Sequence, residues 1–222
     1  MKAKIAIDGP AGAGKSTVAR AVAKELGLAY LDTGAMYRAI TLAALRAGVD
    51  FNDSRALADL TESVELDIQI GSDGENIIFL NGENVSEEIR EPEINRNVSY
   101  VARCPEVREI MVSKQQEIGR RGGGVMDGRD IGTKVMPEAE FKFFLTASLE
   151  ERARRRLAEL KAKGINLTLP QMIEEIRTRD KIDSERECSP LQAARDAIYL
   201  DTTEMTIEQV VKYIVDIVVD SK

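Results

Sequence analysis

The sequence contains no histidine, and its two cysteines, Cys104 and Cys188, stand far apart with no second cysteine near either. A zinc cluster and any histidine-based catalytic triad are thereby excluded, and each cysteine reads as a free thiol. No stretch approaches the roughly 20 consecutive apolar residues that span a bilayer. The opening MKAKIAIDG enters a strand-like run with neither an apolar signal core nor a small-residue cleavage site, so a cytoplasmic protein is expected. Positive charge is also in short supply. Thirty-one Lys and Arg against 38 Asp and Glu leave a net charge of −7, which argues against broad attachment to a nucleic acid polymer or an anionic membrane surface. Any recognition of phosphate must be confined to a local pocket, so the placement of individual arginines matters.

What is present fits one domain, or one domain with an insertion: 222 residues, 43% hydrophobic and 31% charged. Residues 5–7 form a short apolar run, and Val18, Val22 and Leu26 then recur at spacing four until Gly27, which predicts strand, loop and helix. Residues 29–31 read as a second strand. In the following DTGAMYR, Thr33 is expected to cap a helix running through Ile40, Leu42 and Leu45 to Gly48. From Asp50 the character changes: a short helix is announced by Asn52, Asp53 and Ser54, and Val64, Leu66, Ile68 and Ile70 then alternate with polar residues. Strict alternation predicts a strand with one wet face. A turn at 71–75, a partner strand at 76–80 and the hairpin pair Asn81-Gly82 complete a small antiparallel insert over residues 51–98. The core is then formed by 1–50 and 99–222. Helical patterns run from about Pro92, break at Pro105 and continue to Gly119. Strands follow at 125–127 and 141–145. Ser148 and Glu151 read as a capping box, Pro170 opens a long helix, and 198–200 and 206–219 give a last strand and helix. This alternation predicts an α/β fold with a parallel sheet covered on both faces by helices.

Gly9-Pro10-Ala11-Gly12-Ala13-Gly14-Lys15-Ser16 satisfies G-x-x-x-x-G-K-[ST] between a strand and a helix, the context that motif requires. A loop wrapping a triphosphate must bring amide N–H groups to phosphate oxygens, and an inward Cβ would hold the anion away. The first helical turn adds unpaired N–H groups and the positive end of the helix dipole. ATP is therefore expected on Gly9, Pro10, Ala11, Gly12, Ala13, Gly14, Lys15, Ser16 and Thr17. In this arrangement Lys15 reaches the β and γ oxygens and the Ser16 hydroxyl faces Mg²⁺. Asp127 ends an apolar strand, where P-loop proteins hold magnesium or its waters; a turn acid before Gly128 is the other reading. Asp8 has two readings as well, a buried acid bonded to backbone or a functional group.

No asparagine is followed by lysine, so the Asn-Lys-x-Asp run of a guanine-reading GTPase is missing. Along the helix opened by Pro170, Met172 and Ile176 begin a stripe that continues through Arg179, Asp183 and Arg186. Such a face is either a solvated row of ion pairs, each worth about 0.2–0.5 kcal/mol, or a cleft wall whose guanidiniums grip phosphates or a sugar. Arg38, Arg108 and Arg129 are candidates from three other segments, though each taken singly reads equally well as a solubilising charge.

LDTGAMYR at 31–38, DGRDIG at 127–132 and RDKIDSER at 179–186, together with the loop at 9–16, resemble the bacterial cytidylate kinase family over nearly the whole chain. The resemblance implies a P-loop nucleoside monophosphate kinase fold: a parallel five-stranded core, a helical lid at about 152–188 and an acceptor-side region enlarged by the insert. It also implies transfer of the γ-phosphoryl of ATP to CMP or dCMP with Mg²⁺, by a protein that is usually monomeric. Carried over by position, Thr33, Tyr37, Arg38 and Arg129 would surround the CMP phosphate, and Ser99, Arg108 and Asp130 would read cytosine. Arg179 and Asp183 would address the ribose and Arg186 the phosphates. Where some members have serine at position 33, threonine keeps the hydroxyl. Ser16 and Asp127 would serve the metal. Lys15, Arg129, Arg179 and Arg186 would supply catalytic charge, with Arg152, Arg155 and Arg156 of the lid as additions or as solvating charges. Cytosine offers an N4 donor beside N3 and O2 acceptors, so a carboxylate paired with an arginine complements it, whereas uracil turns an O4 acceptor toward the carboxylate. A kinase for another acceptor such as UMP or AMP, and a noncatalytic ATP-binding regulator, are the alternatives.

Overall fold

The computed structural model describes residues 3–162 and 164–221. Five parallel strands form the central sheet: β1 (Lys4–Asp8), β2 (Ala29–Asp32), β6 (Gly124–Gly128), β7 (Phe141–Thr146) and β8 (Ile198–Asp201), in the order β2-β6-β1-β7-β8. β1 is central, and its Ile5, Ala6 and Ile7 are fully buried, as a strand covered on both faces requires. On one face α1 (Lys15–Leu26) and α8 (Ile207–Asp220) bring Val18, Val22, Val210, Ile214 and Val218 against Ile5, Ile7, Phe143 and Leu145. On the other, α2 (Thr33–Ala47), α4 (Pro92–Ala102) and α5 (Pro105–Arg120) pack around Ala6, Met126 and Ile131. Each fully buried Ile or Val is worth about 1.5–3 kcal/mol relative to exposure, so these two layers hold the sheet rigid beneath whatever its C-terminal edge carries. No described helix is long and apolar enough to cross a membrane.

The insert contains α3 (Ser54–Ser63) and an antiparallel sheet of β3 (Leu66–Ile70), β4 (Asn76–Leu80) and β5 (Glu83–Asn84). Ile78, Leu80, Val85 and Ile89 join the same apolar cluster as α2 and α5, so the insert packs on the core. The face of β3 expected to be buried is only partly covered, and Ile70 stands 55% exposed, because β3 lies at the edge of its sheet.

Several local expectations need correction. α2 is capped by Asp32, whose carboxylate accepts from the Ala35 amide at 2.8 Å; Thr33 cannot cap because its hydroxyl donates to the Asp127 carbonyl at 2.7 Å. In α6 (Leu149–Ala162), Ser148 Oγ accepts from the Glu151 amide, but the Glu151 carboxylate accepts from Arg155 instead of closing a capping box. Complete boxes sit on α7 (Leu169–Glu185), between Thr168 and Gln171, and on α8, between Thr206 and Gln209. A π-helical turn over Ile131–Val135 had no signal in the pattern. It is held by Asp8, whose two carboxylate oxygens accept from the Ile131 and Gly132 amides at 2.8 Å each, which decides between the two readings of that acid.

Candidate functional site

Three structures converge at the C-terminal edge of β1 and β6: the glycine loop, the strand-end acid and a group of arginines drawn from α2, α5, the β6 exit and α7. The loop is held open by backbone conformation. Gly9 (φ 149) and Gly12 (φ 74) adopt values that side chains disfavour, and a Cβ on Gly9 would collide with the Leu145 carbonyl oxygen. At Gly12 the added carbon would stand 3.0 Å from the carbonyl oxygen of Arg152. Gly14 (φ 80) then turns the chain into α1, whose first amides have no intrahelical acceptor and face outward from the helix end. Lys15 folds back over the loop and donates to the Pro10 carbonyl at 2.7 Å.

Asp127 accepts from Ser16 Oγ at 2.9 Å and from the Tyr30 hydroxyl at 2.8 Å. Burial and the nearby charge of Asp32 push its carboxyl up to about 6, against the pull of Lys15. This hydroxyl and carboxylate, converging beside a second acid, are hard oxygen donors of the kind that would hold a magnesium ion. Burial opposes ionisation of Asp32 too, but Arg38, bonded at 2.8 Å, and the Ala35 amide hold it below its ordinary value.

The arginines of the stripe and of the three separate segments are brought together. Arg129 Nε donates to Asp183 Oδ2 at 2.9 Å, and Ser99 Oγ donates to Asp183 Oδ1 at 3.1 Å. Burial works against the Asp183 charge, yet Arg129, Arg179 and Arg186 keep its carboxyl below the usual range. Arg108, 1% exposed, pairs with Asp130 Oδ2, donates to the Ala102 carbonyl and lies over the Tyr37 ring at 5.3 Å. Arg186 donates to the Ser189 carbonyl at 2.7 Å and stands 3.9 Å from Asp130 Oδ1. Burial and Arg129 lower Arg179 to about 10, and the same two causes hold Lys15 well below its ordinary range. Tyr37 Oη, Arg38 Nε, Arg108 Nε, Arg179 Nε and Arg186 Nη2 are buried without a hydrogen-bond partner among the described residues. Buried donors and crowded like charges of this kind are costly unless an anion or a polar ring is bound against them.

The lid arginines divide. Arg156 pairs with Glu159 as an ordinary surface couple, and Arg155 is spent on Glu151 and on Thr202. Arg152 is buried and reaches the glycine loop, donating to the Ala11 carbonyl at 2.9 Å.

Some positioning residues escaped the pattern. Asn76, at the start of β4, accepts from the Asp32 amide at 2.6 Å and donates to the Tyr30 carbonyl at 2.8 Å. Its side chain thus acts as one more strand residue on the free edge of β2. Nothing in the local sequence of a surface-looking insert marks that role. Tyr30 and Asp32 flank the same strand end; the N-cap signal of an aspartate three residues before a helix amide could have found Asp32, although the cap was expected at Thr33.

A family model described as cytidylate kinase matches residues 5–220. The chain is 55% identical over 212 residues to the cytidylate kinase of Caldanaerobacter subterraneus subsp. tengcongensis, covering 96% of this chain and 92% of the relative. It is 55% identical over 214 residues to that of Bacillus cereus, covering 96% and 95%. Among solved structures it is similar in fold to a gluconokinase from Sinorhizobium meliloti, at a TM-score of 0.50 and 13% identity over 99% of this chain and 93% of that one.

Proposed function

Because the chain belongs to the cytidylate kinase family, a nucleoside monophosphate kinase family that transfers the γ-phosphoryl of ATP to CMP or dCMP, we propose how its own residues carry out that transfer. The observation that supports the assignment is the gathering of Arg38, Arg108, Arg129, Arg179 and Arg186 beside Lys15, in a protein of net charge −7. Surface cations avoid one another; here burial together with Arg129 lowers Lys15 and Arg179, and burial together with Arg108 lowers Arg186, an arrangement relieved by two anionic nucleotides.

ATP lies on the loop Gly9–Gly14, its phosphates on the first-turn amides of α1 and on Lys15. CMP lies across the arginine cluster, with its phosphate near Thr33, Arg38 and Arg129, its ribose near Arg179 and Asp183, and cytosine near Ser99, Arg108 and Asp130. Residues 51–98 form the acceptor-side insert and about 152–188 the lid. Ser16 and Asp127 serve Mg²⁺, which when bound neutralises charge on the transferring phosphates. A CMP phosphate oxygen attacks the γ-phosphorus in line. A phosphate monoester has its second pKa near 6, so the nucleophile is already largely ionised and no histidine is needed as base. Catalysis is positioning and charge neutralisation by Lys15, Arg129, Arg179 and Arg186, with water excluded by the docked helices α6 and α7. The reading takes all these groups from one chain and keeps the expectation of a monomer in the cytoplasm.

Initial rates of ADP release over CMP, dCMP, UMP, AMP and GMP test the acceptor assignment. CMP and dCMP should lead clearly, and preference for a purine would overturn it. Nucleotide binding without CMP-stimulated ADP release would instead mark a noncatalytic regulator.

A further inference from the structure

Ala11 is an unusual member of the phosphate loop, because both of its peptide groups are claimed by the lid. Its N–H donates to Asp180 Oδ1 on α7 at 3.2 Å, and its carbonyl accepts from Arg152 Nη1 on α6 at 2.9 Å. The same Nη1 closes an ion pair with Asp180 Oδ2 at 2.5 Å, and Arg152 Nε is anchored on the Ala147 carbonyl at 3.0 Å. Pro10 has no N–H, so Ala11 is the first residue of the loop after Gly9 able to donate, and that donor points to the lid.

The rest of α7 faces the acceptor cluster. Asp183, one helical turn beyond Asp180, takes Ser99 and Arg129, and Arg186 follows beside Asp130. α6 and α7 share a small apolar cluster of their own, Ala153, Leu160, Met172 and Ile176, separate from those of the sheet. The hairpin therefore has the packing to move as one piece, touching the donor loop through one pair of side chains and the acceptor cluster through the next turn.

We propose that Arg152 and Asp180 form a latch on the Ala11 peptide that makes the shape of the donor loop depend on the docked lid, and so couples ATP binding to CMP binding. They are positioning residues acting through Ala11. The proposal rests on the assignment of ATP to the loop and CMP to the arginine cluster. Either nucleotide favours the docked hairpin, through Ala11 on one side and through Arg129 and Asp183 on the other, and docking completes the second site. Coupling of this kind is reciprocal and typically about 5- to 150-fold.

The test is calorimetric titration of a non-hydrolysable ATP analogue into the whole protein, with and without saturating CMP, and the reverse titration. It covers wild type, Asp180→Asn, Arg152→Lys and the double variant, with thermal unfolding of each. In wild type each nucleotide should tighten the other by the same factor. In either single variant that factor should fall toward one while binding of each nucleotide alone changes little, and the double variant should lose no more than the singles. An unchanged factor in folded variants overturns the proposal. So do weakened binding by an equal factor with and without the partner nucleotide, which marks a merely structural pair, and a wild type that phosphorylates CMP without coupling. A wild type that fails to phosphorylate CMP would instead defeat the underlying assignment.

Discussion

Replacing Asp130 by asparagine removes the carboxylate that Arg108 and Arg186 share, and the structure sets the scale of two separate effects. The first is on stability. Arg108 is 1% exposed and its partner nearly as buried, and breaking a buried pair by removing one member costs about 3–5 kcal/mol. Asparagine keeps one oxygen for Arg108 Nη2, and Arg108 Nη1 keeps the Ala102 carbonyl, so the low end, about 3 kcal/mol, is expected. In a chain of this size that lowers Tm by roughly 6–12 °C, leaving a folded enzyme out of a total of about 5–15 kcal/mol. The second effect is on choice of base. Asp130 Oδ2 is taken by Arg108, while Oδ1 stands 3.9 Å from Arg186 and is, on the proposed assignment, the oxygen left to accept from the cytosine amino group. Against UMP that oxygen meets O4, an acceptor facing an acceptor, at a cost of about 1–3 kcal/mol. The introduced asparagine can present its amide N–H there instead, so the ratio of kcat/KM for CMP over UMP should fall roughly 5- to 150-fold in Asp130→Asn. The assay is initial rates with both acceptors at a temperature where circular dichroism shows the variant folded. An unchanged ratio in a folded variant would falsify the role given to Asp130.

Lys15→Ala should abolish measurable CMP-stimulated ADP release, a loss of at least about 100-fold, yet leave Tm unchanged or raised, since the buried ammonium is held below its ordinary range by burial and Arg129; a sharp drop in Tm would contradict this. Asn76→Ala leaves the Asp32 N–H and Tyr30 carbonyl unpaired at the junction carrying Thr33, Tyr37 and Arg38. KM for CMP should rise with KM for ATP nearly constant, and equal changes in both would refute the link. Asp8→Asn presents an N–H where the carboxylate accepted two amides and should cost about 1–3 kcal/mol. Burial raises the folded-state carboxyl of Asp8 from 3.8 to about 6, so the native state holds its proton longer than the unfolded chain, and this group's contribution to stability falls as pH rises from about 4 to 6. The stability advantage of wild type over Asp8→Asn should accordingly shrink across that window, by at most about 3 kcal/mol; a gap that widens with pH in chemical denaturation would be incompatible with the assignment.

Much of the site was legible along the chain because its chemistry depends on close neighbours. The loop from Gly9 to Ser16 needs bare backbone in consecutive positions, so it leaves a contiguous trace, and Asp127 is marked by ending an apolar strand. The stripe Met172, Ile176, Arg179, Asp183 and Arg186 was readable as a line on one helix, but whether that line faced water or a cleft was not. Ser99 was visible as a candidate only through resemblance, and Arg108 and Arg129, candidates already as single arginines, were given roles only through it, since an isolated arginine carries no periodic signature. Asn76, Tyr30 and Asp180 left none at all, and Arg152 stood out only as one of three lid arginines, because each acts on a partner 28 or more positions away.

On its own, then, the order of residues determined the local elements and the anion-binding bend, because strand alternation, helix spacing and glycine conformations act over a few residues at a time. Which charges became a site was decided by the parallel sheet, which carries β1, β2 and β6 side by side, and by α7, which lays successive turns against the loop and the arginine cluster. The reason is electrostatic. A guanidinium at the surface is one screened charge among many, and it becomes a ligand for phosphate only where folding removes water and sets a second and third beside it.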